Sequence, residues 1–213
     1  MNLKLQKVLP NEIEKRSFEI ITAELGDRKI PPENEAVVKR VIHTSADFDY
    51  YDNLVFSSGA VAAGIDALKA GACIVTDTKM AWSGISKPAL AKLGGEAFCF
   101  ISDPDVAQAA KDNGTTRAVA SMDKAAALGK DLIFAIGNAP TALVRLFELI
   151  EQGKLAPKLI IGVPVGFVNV VESKELIMAA PVPYIVARGR KGGSNVAAAI
   201  CNALLYQATG RTV

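Results

Sequence analysis

Leu132-Ile133-Phe134-Ala135-Ile136-Gly137-Asn138-Ala139-Pro140-Thr141 is an unbroken apolar run that ends abruptly in glycine, asparagine and proline. Helix-spaced apolar residues follow over 141–152, and then a second such run, Leu159-Ile160-Ile161-Gly162-Val163. A strand with no polar alternation is buried on both faces, so a pair of them joined by a helix reads as one parallel unit of a covered sheet. The pattern continues on both sides. Leu54-Val55-Phe56, Cys73-Ile74-Val75-Thr76, Ala97-Phe98-Cys99-Phe100-Ile101 and Tyr184-Ile185-Val186-Ala187 are further strand-like runs, and helical patterns occupy 59–70, 105–112 and 195–206. The expected fold is α/β, a single domain over residues 1–213 with a mainly parallel, doubly wound sheet. Residues 1–30 form an N-terminal helical annex, with a helix over 11–25 opened by the capping pattern Asn11-Glu12-Ile13-Glu14. The connector Gly26-Asp27-Arg28-Lys29-Ile30-Pro31-Pro32 is too short to separate domains.

Half of the 213 residues are apolar, ample for one sizeable core, and the formal charge is only +2. The cations are scattered along the chain, which argues against a nucleic-acid partner and leaves any acidic ligand to a local pocket. Cys73, Cys99 and Cys201 lie far apart in apolar surroundings, so they read as buried thiols of a reducing compartment, not a disulfide frame or a zinc site. The opening Met1-Asn2-Leu3-Lys4-Leu5-Gln6-Lys7 lacks the apolar core of a signal peptide. The longest uncharged stretch, 192–209, contains Ser194, Asn195, Asn202 and Gln207 and reads as a buried helix, not a membrane span. A cytoplasmic protein is expected.

In a doubly wound sheet the ligand crevice lies beyond the carboxyl ends of the strands. The residues that follow the strands here are polar and glycine-rich: Ser57-Ser58-Gly59, Asp77-Thr78, Gly137 to Thr141, Pro164 to Asn169 and Arg188 to Asn195. Ser58-Gly59 with Asp77 resembles part of a dinucleotide site, but the full G-x-G-x-x-G is missing. The segment Arg188-Gly189-Arg190-Lys191-Gly192-Gly193-Ser194 is more specific, since cations and glycines meet where a strand ends and a helix begins, which favours an anion. It is not a P-loop, because Lys191 precedes the paired glycines. Asp47, Asp49 and Asp52 do not form an EF-hand, which would require glycine at position 52 and glutamate at position 58. With one histidine and dispersed cysteines, a metal site built by the protein is not expected, and no serine or cysteine sits in a nucleophile elbow.

That histidine, His43, ends the helix-like run Pro31-Pro32-Glu33-Asn34-Glu35-Ala36-Val37-Val38-Lys39-Arg40-Val41-Ile42. It is the one side chain whose ordinary pKa allows it to give and take a proton near neutrality, although a histidine at a helix C-terminus also simply favours the dipole. Arg40, three residues earlier, shares its helix face. A cation beside an imidazole suits an anionic ligand.

The run from Ile30 through His43-Thr44-Ser45-Ala46-Asp47-Phe48-Asp49-Tyr50, with Asn53 to Phe56, resembles precorrin-8X methylmutases of cobalamin biosynthesis. So do Thr76-Asp77-Thr78 with Met80 and Gly84-Ile85, Gly137 to Leu143, Gly162 to Val168 and Gly192-Gly193-Ser194. The resemblance implies that a methyl group migrates from C11 to C12 of the macrocycle, giving hydrogenobyrinate or its cobalt form, cobyrinate, with a histidine proton assisting. His43 matches that histidine, and Ser17, Arg40 and Arg117 match substrate contacts. Thr44, Lys191, Gly193 and Ser194 complete the expected substrate-binding set. No cofactor is implied, and a homodimer with its site near the subunit interface is. Phe48, Phe167 and Val168 are candidates to cover the flat apolar face of a tetrapyrrole. Two other readings stay open from the residues alone: a nucleotide-dependent enzyme, and a carrier that holds a tetrapyrrole without turning it over.

Overall fold

The computed structural model describes residues 7–10 and 12–211. In chain order the elements are α1 (Ile13–Leu25), α2 (Pro32–Ser45), α3 (Tyr50–Asn53), β1 (Leu54–Phe56), α4 (Ala60–Lys69), β2 (Cys73–Thr76), α5 (Lys79–Gly84), α6 (Lys87–Lys92), β3 (Ala97–Phe98), α7 (Pro104–Asp112), α8 (Arg117–Ala126), β4 (Leu132–Ile136), α9 (Pro140–Glu151), β5 (Leu159–Gly162), α10 (Val170–Ala179), β6 (Tyr184–Ala187) and α11 (Ser194–Ala208).

The strands form one sheet in the order β1-β6-β5-β4-β2-β3. All neighbours are parallel except β1 and β6. The sheet is buried on both faces, as the continuous apolar runs require. Ile133 and Ala135 of β4 point into a core shared with α2, α4 and α11, while Leu132, Phe134 and Ile136 point into a second core under α8, α9 and α10. From β2 the chain steps outward to β3 and then back across to β4, so the winding direction reverses between β2 and β4. That reversal is the switch point at which such folds open a crevice.

The antiparallel course of β1 corrects one expectation. Phe56 pairs with Ile185, and the Ser57 amide donates to the Tyr184 carbonyl at 3.0 Å. Ser57-Ser58-Gly59 therefore emerges at the amino ends of the parallel strands, the edge opposite Asp77. The cause lies upstream: α2 and α3 deliver the chain beside the end of β6, where Arg188 N–H donates to the Asn53 carbonyl at 2.7 Å, so β1 can only run back.

α2 is started by Pro32 in its first turn with Glu33 and Glu35 favouring its dipole, and it ends on Ala46 in the left-handed conformation. Val37, Val38, Val41 and Ile42 form its buried stripe. α1 lies across α2 and contributes Ile21 and Leu25 to the same core. It begins at Ile13 with Glu12 as its N-cap residue, and Glu12 makes no side-chain capping bond. The Asn11 part of the expected cap lies outside the described residues. β3 is shorter than its five-residue apolar run because Phe100 and Ile101 turn off the sheet to pack against the second core. Cys73, Cys99 and Cys201 are buried and unpaired, and burial pushes the Cys201 thiol up to about 12. Among the described residues no helix is long and apolar enough to cross a membrane.

Candidate active site

His43 lies in the last turn of α2, half-buried, facing the annex. Its ring stacks on Phe18 of α1, with centroids 5.3 Å apart and planes 25° apart. Beside the pair is a cavity of about 430 Å³ lined by Ser17, Ile20, Ile42, His43 and Phe48 among others. The wall is apolar except for the imidazole, the Ser17 hydroxyl and Glu24. Ser17 donates its hydroxyl proton to the Ile13 carbonyl at 2.9 Å, which keeps its lone pairs available to a ligand donor. Phe48 lines this cavity.

One turn back, Arg40 is 7 % exposed and sits between two aromatic rings, its guanidinium carbon 4.9 Å from the Phe18 centroid and 5.2 Å from that of Tyr206. It is ion-paired with Glu14 of α1, which Arg211 also reaches at 3.1 Å. Burial works to raise the Glu14 carboxyl, but the Arg40 hydrogen bond and the charges of Arg40, Arg211 and His43 hold it below the ordinary carboxylate range. A neighbouring cavity of about 550 Å³ is lined by Phe18, Glu35, Lys39, Arg40, Tyr206 and Arg211 among others. Its lining includes no imidazole; His43 lines only the first of the two cavities.

At the switch point Asp77, 1 % exposed, accepts N–H bonds from Gly137 at 2.9 Å, Asn138 at 2.8 Å and Ala139 at 2.7 Å. Burial pushes its carboxyl above the ordinary range, against the pull of those donors. With both oxygens engaged, Asp77 shapes the loop after β4 and is not available to a ribose. Thr78 meets Ser194 hydroxyl to hydroxyl at 2.7 Å, which joins the ends of β2 and β6. Gly137 must be glycine, since a Cβ there would lie 2.6 Å from Ser194 Cα. Gly193 is buried at the start of α11, with φ +136°.

The basic turn 188–193 is held from several sides. Arg188 pairs with Glu175 on the surface, at 2.8 Å and 3.1 Å. Lys191 donates to Asp47 and Asp49, each at 2.6 Å, and these bonds hold its ammonium above the ordinary lysine range. The aspartates first weighed as metal ligands thus tie this turn to the segment after His43. Beneath it lies Lys174 of α10, which sequence reading missed. It is fully buried and donates to the carbonyls of Gly189 at 2.7 Å and Lys191 at 2.9 Å. Its ammonium is pushed down to about 8 by burial. Its signal in the sequence was position: with Val170, Ser173 and Ile177 it falls on the inward stripe of α10.

Ser17, Arg40 and His43 therefore come together, and exposed Thr44 is adjacent. Lys191, Gly193 and Ser194 form a second group at the carboxyl ends of the strands. Arg117 joins neither. It is exposed at the start of α8, on the other face of the sheet, where capping Thr116 meets Thr141 at 3.1 Å. The segments that follow β2 and β5 carry an exposed apolar rim: Phe167, Val168 and Met80 are 83 %, 77 % and 71 % exposed, and Arg190 lies 5.4 Å over the Phe167 ring.

Comparison with known proteins points to one family. The family model for precorrin-8X methylmutase matches residues 12–207. The cobalt-precorrin-8 methylmutase of Salmonella typhimurium is 50 % identical over 203 residues, covering 92 % of this chain and 95 % of the relative. That of Priestia megaterium is 48 % identical over 197 residues, covering 92 % and 88 %. The crystal structure of precorrin-8x methyl mutase from Thermus thermophilus superposes with a TM-score of 0.86 at 42 % identity, covering 95 % of this chain and all of that one.

Proposed function

The chain belongs to the precorrin-8X methylmutase family, and we propose that it moves a methyl group from C11 to C12 of a precorrin-8X macrocycle, free or cobalt-bearing, with His43 as the proton donor and acceptor. The carrying observation is the imidazole at the wall of an otherwise largely apolar cavity, stacked on Phe18 and next to Arg40. The methyl–C11 bond breaks as the methyl–C12 bond forms, so atoms and electrons balance within one molecule. No redox partner or second substrate enters. What the protein must supply is a shaped apolar cavity, a proton that polarises the conjugated ring system as the methyl moves, and cations for the peripheral carboxylates. Phe18 and the partly buried position fix the imidazole's orientation, so little reorganisation is left to the reaction itself.

Purified, dialysed protein is expected to convert the C11-methyl macrocycle to the C12-methyl corrin without additive, followed by the change in absorbance with each form of the substrate. Dependence on an added nucleotide or metal would overturn this reading. Many turnovers per protein under substrate excess separate it from a carrier. The edge-to-edge separation of Ser57-Ser58-Gly59 from Asp77, and the saturation of Asp77 by backbone donors, remove the two features that favoured a nucleotide.

Arg117 and His43 stand on opposite faces of one sheet, and this placement supports a site completed by a second copy of the chain in a homodimer. Arg117→Ala is expected to weaken binding of the carboxylate-rich macrocycle by about 1.5–3 kcal/mol if the contact is charge-assisted. Mixed with His43→Ala after dissociation and reassembly, it should regain activity, because one site of each hybrid then has both residues. A monomer by sedimentation, or no recovery in hybrids, removes the shared site. Arg40→Ala should weaken the same ligand by a similar amount. It also leaves Glu14 facing Arg211 alone.

A further inference from the structure

The turn 188–193 has its carbonyls drawn inward. Those of Gly189 and Lys191 accept from Lys174 Nζ at 2.7 Å and 2.9 Å, and that of Arg190 accepts from Gly166 N–H at 3.2 Å. The carbonyl of Gly192 faces the Tyr50 hydroxyl at 3.5 Å. The amides of the same four residues, Gly189 to Gly192, donate to no acceptor among the described residues. Backbone donors in a glycine-rich turn whose acceptor ends are engaged elsewhere are free to donate to an anion. The turn also cannot drift: a Cβ on Gly192 would stand 2.1 Å from the Val163 carbonyl oxygen, to which Gly193 N–H donates at 2.8 Å. Because α10 follows directly on the loop that carries Phe167 and Val168, Lys174 ties the cationic turn to the apolar rim as one wall.

We propose that Lys174 is a positioning residue which, from beneath, holds the turn 189–192 with its carbonyls inward so that its amides and Arg190 receive one carboxylate of the macrocycle. The inference rests on the methylmutase reading. Lys174 touches neither the substrate nor the reacting carbons. Its removal acts on the ground-state grip of a peripheral carboxylate, equally strong before and after the methyl shift, so affinity changes and the chemical step does not.

The test is absorbance titration with hydrogenobyrinate, together with steady-state kinetics. Lys174→Met, which keeps most of the buried volume and removes every donor, should raise Kd and KM at least about tenfold with kcat at saturation within about threefold. Lys174→Gln, which retains a donor without charge, should fall between Met and wild type. Wild-type Kd and KM in Lys174→Met overturn the inference and leave the methylmutase reading intact, as does an equal fall of kcat with unchanged KM. If Lys174→Met does not fold, Lys174→Gln decides: wild-type Kd overturns the inference, and a raised Kd with retained kcat supports it. Wild-type protein that neither binds hydrogenobyrinate nor turns over substrate overturns both readings together.

Discussion

His43→Asn should fold as the parent does and turn over its macrocycle roughly 10²–10⁴-fold more slowly, the loss expected when a positioned general acid is removed. The fold should survive because His43 is only half-buried and the stripe of α2 that enters the core is Val37, Val38, Val41 and Ile42. Asparagine keeps a hydrogen-bond donor in the same place but cannot pass a proton through it. Since the proton transfer matures only in the transition state, kcat should fall far more than substrate affinity. The histidine ring also covers Phe18, so the variant's cavity is slightly looser, and His43→Phe, which restores the stack without a proton, should be as slow. Turnover of His43→Asn at the parent rate, with circular dichroism unchanged, would remove the proposed proton chemistry and leave His43 as a packing partner of the annex.

Much of the scaffold could be read from residues alone, for a definite reason. β2, β4 and β6 match their apolar runs residue for residue because each is buried on both faces, and burial of that kind leaves no room for polar alternation. The direction of β1 was not legible. Its three residues carry no mark of orientation, and the reversal is set by where α3 leaves the chain. α8 and α10 escaped notice because small or polar residues dilute their inward faces: only Met122 is large and apolar beside Ala118, Ala120, Ser121 and Ala125 in one, and Ser173 and Lys174 stand between Val170 and Ile177 in the other. A helix whose buried stripe holds a lysine looks solvated until the carbonyls that satisfy it are in view.

The site divides in the same way. His43 and Arg40 were legible because helical spacing puts them on one face within a single element. The Phe18 stack and the Glu14 pair depend on how the annex lies on α2, which nothing in the spacing fixes. Lys191 was read as a ligand for anions, yet its ammonium is occupied by Asp47 and Asp49, far away in sequence, so the backbone of its turn is left as the better donor.

The second large effect is expected at Asp77, and on stability. Its Oδ1 accepts from Gly137, and its Oδ2 accepts from both Asn138 and Ala139, all in a place with 1 % exposure. Asp77→Asn is nearly isosteric, yet one oxygen becomes an NH2 group. Whichever way the amide turns, a donor then faces at least one backbone N–H, and no water can relieve it. Leaving a buried donor unsatisfied and losing charge-assisted bonds together cost about 2–4 kcal/mol, which for a chain of this size lowers Tm by roughly 5–15 °C. Asp66→Asn, exposed on α4, is the matching control and should stay within about 0.5 kcal/mol of the parent. The consequence should reach Arg117, because the same loop continues into Thr141, which meets the cap of the helix that begins with that proposed substrate contact. Asp77→Asn is therefore expected to weaken hydrogenobyrinate binding as well, while an unchanged Tm would mean that the loop after β4 holds its shape without the carboxylate, and that the switch point is set by strand packing alone.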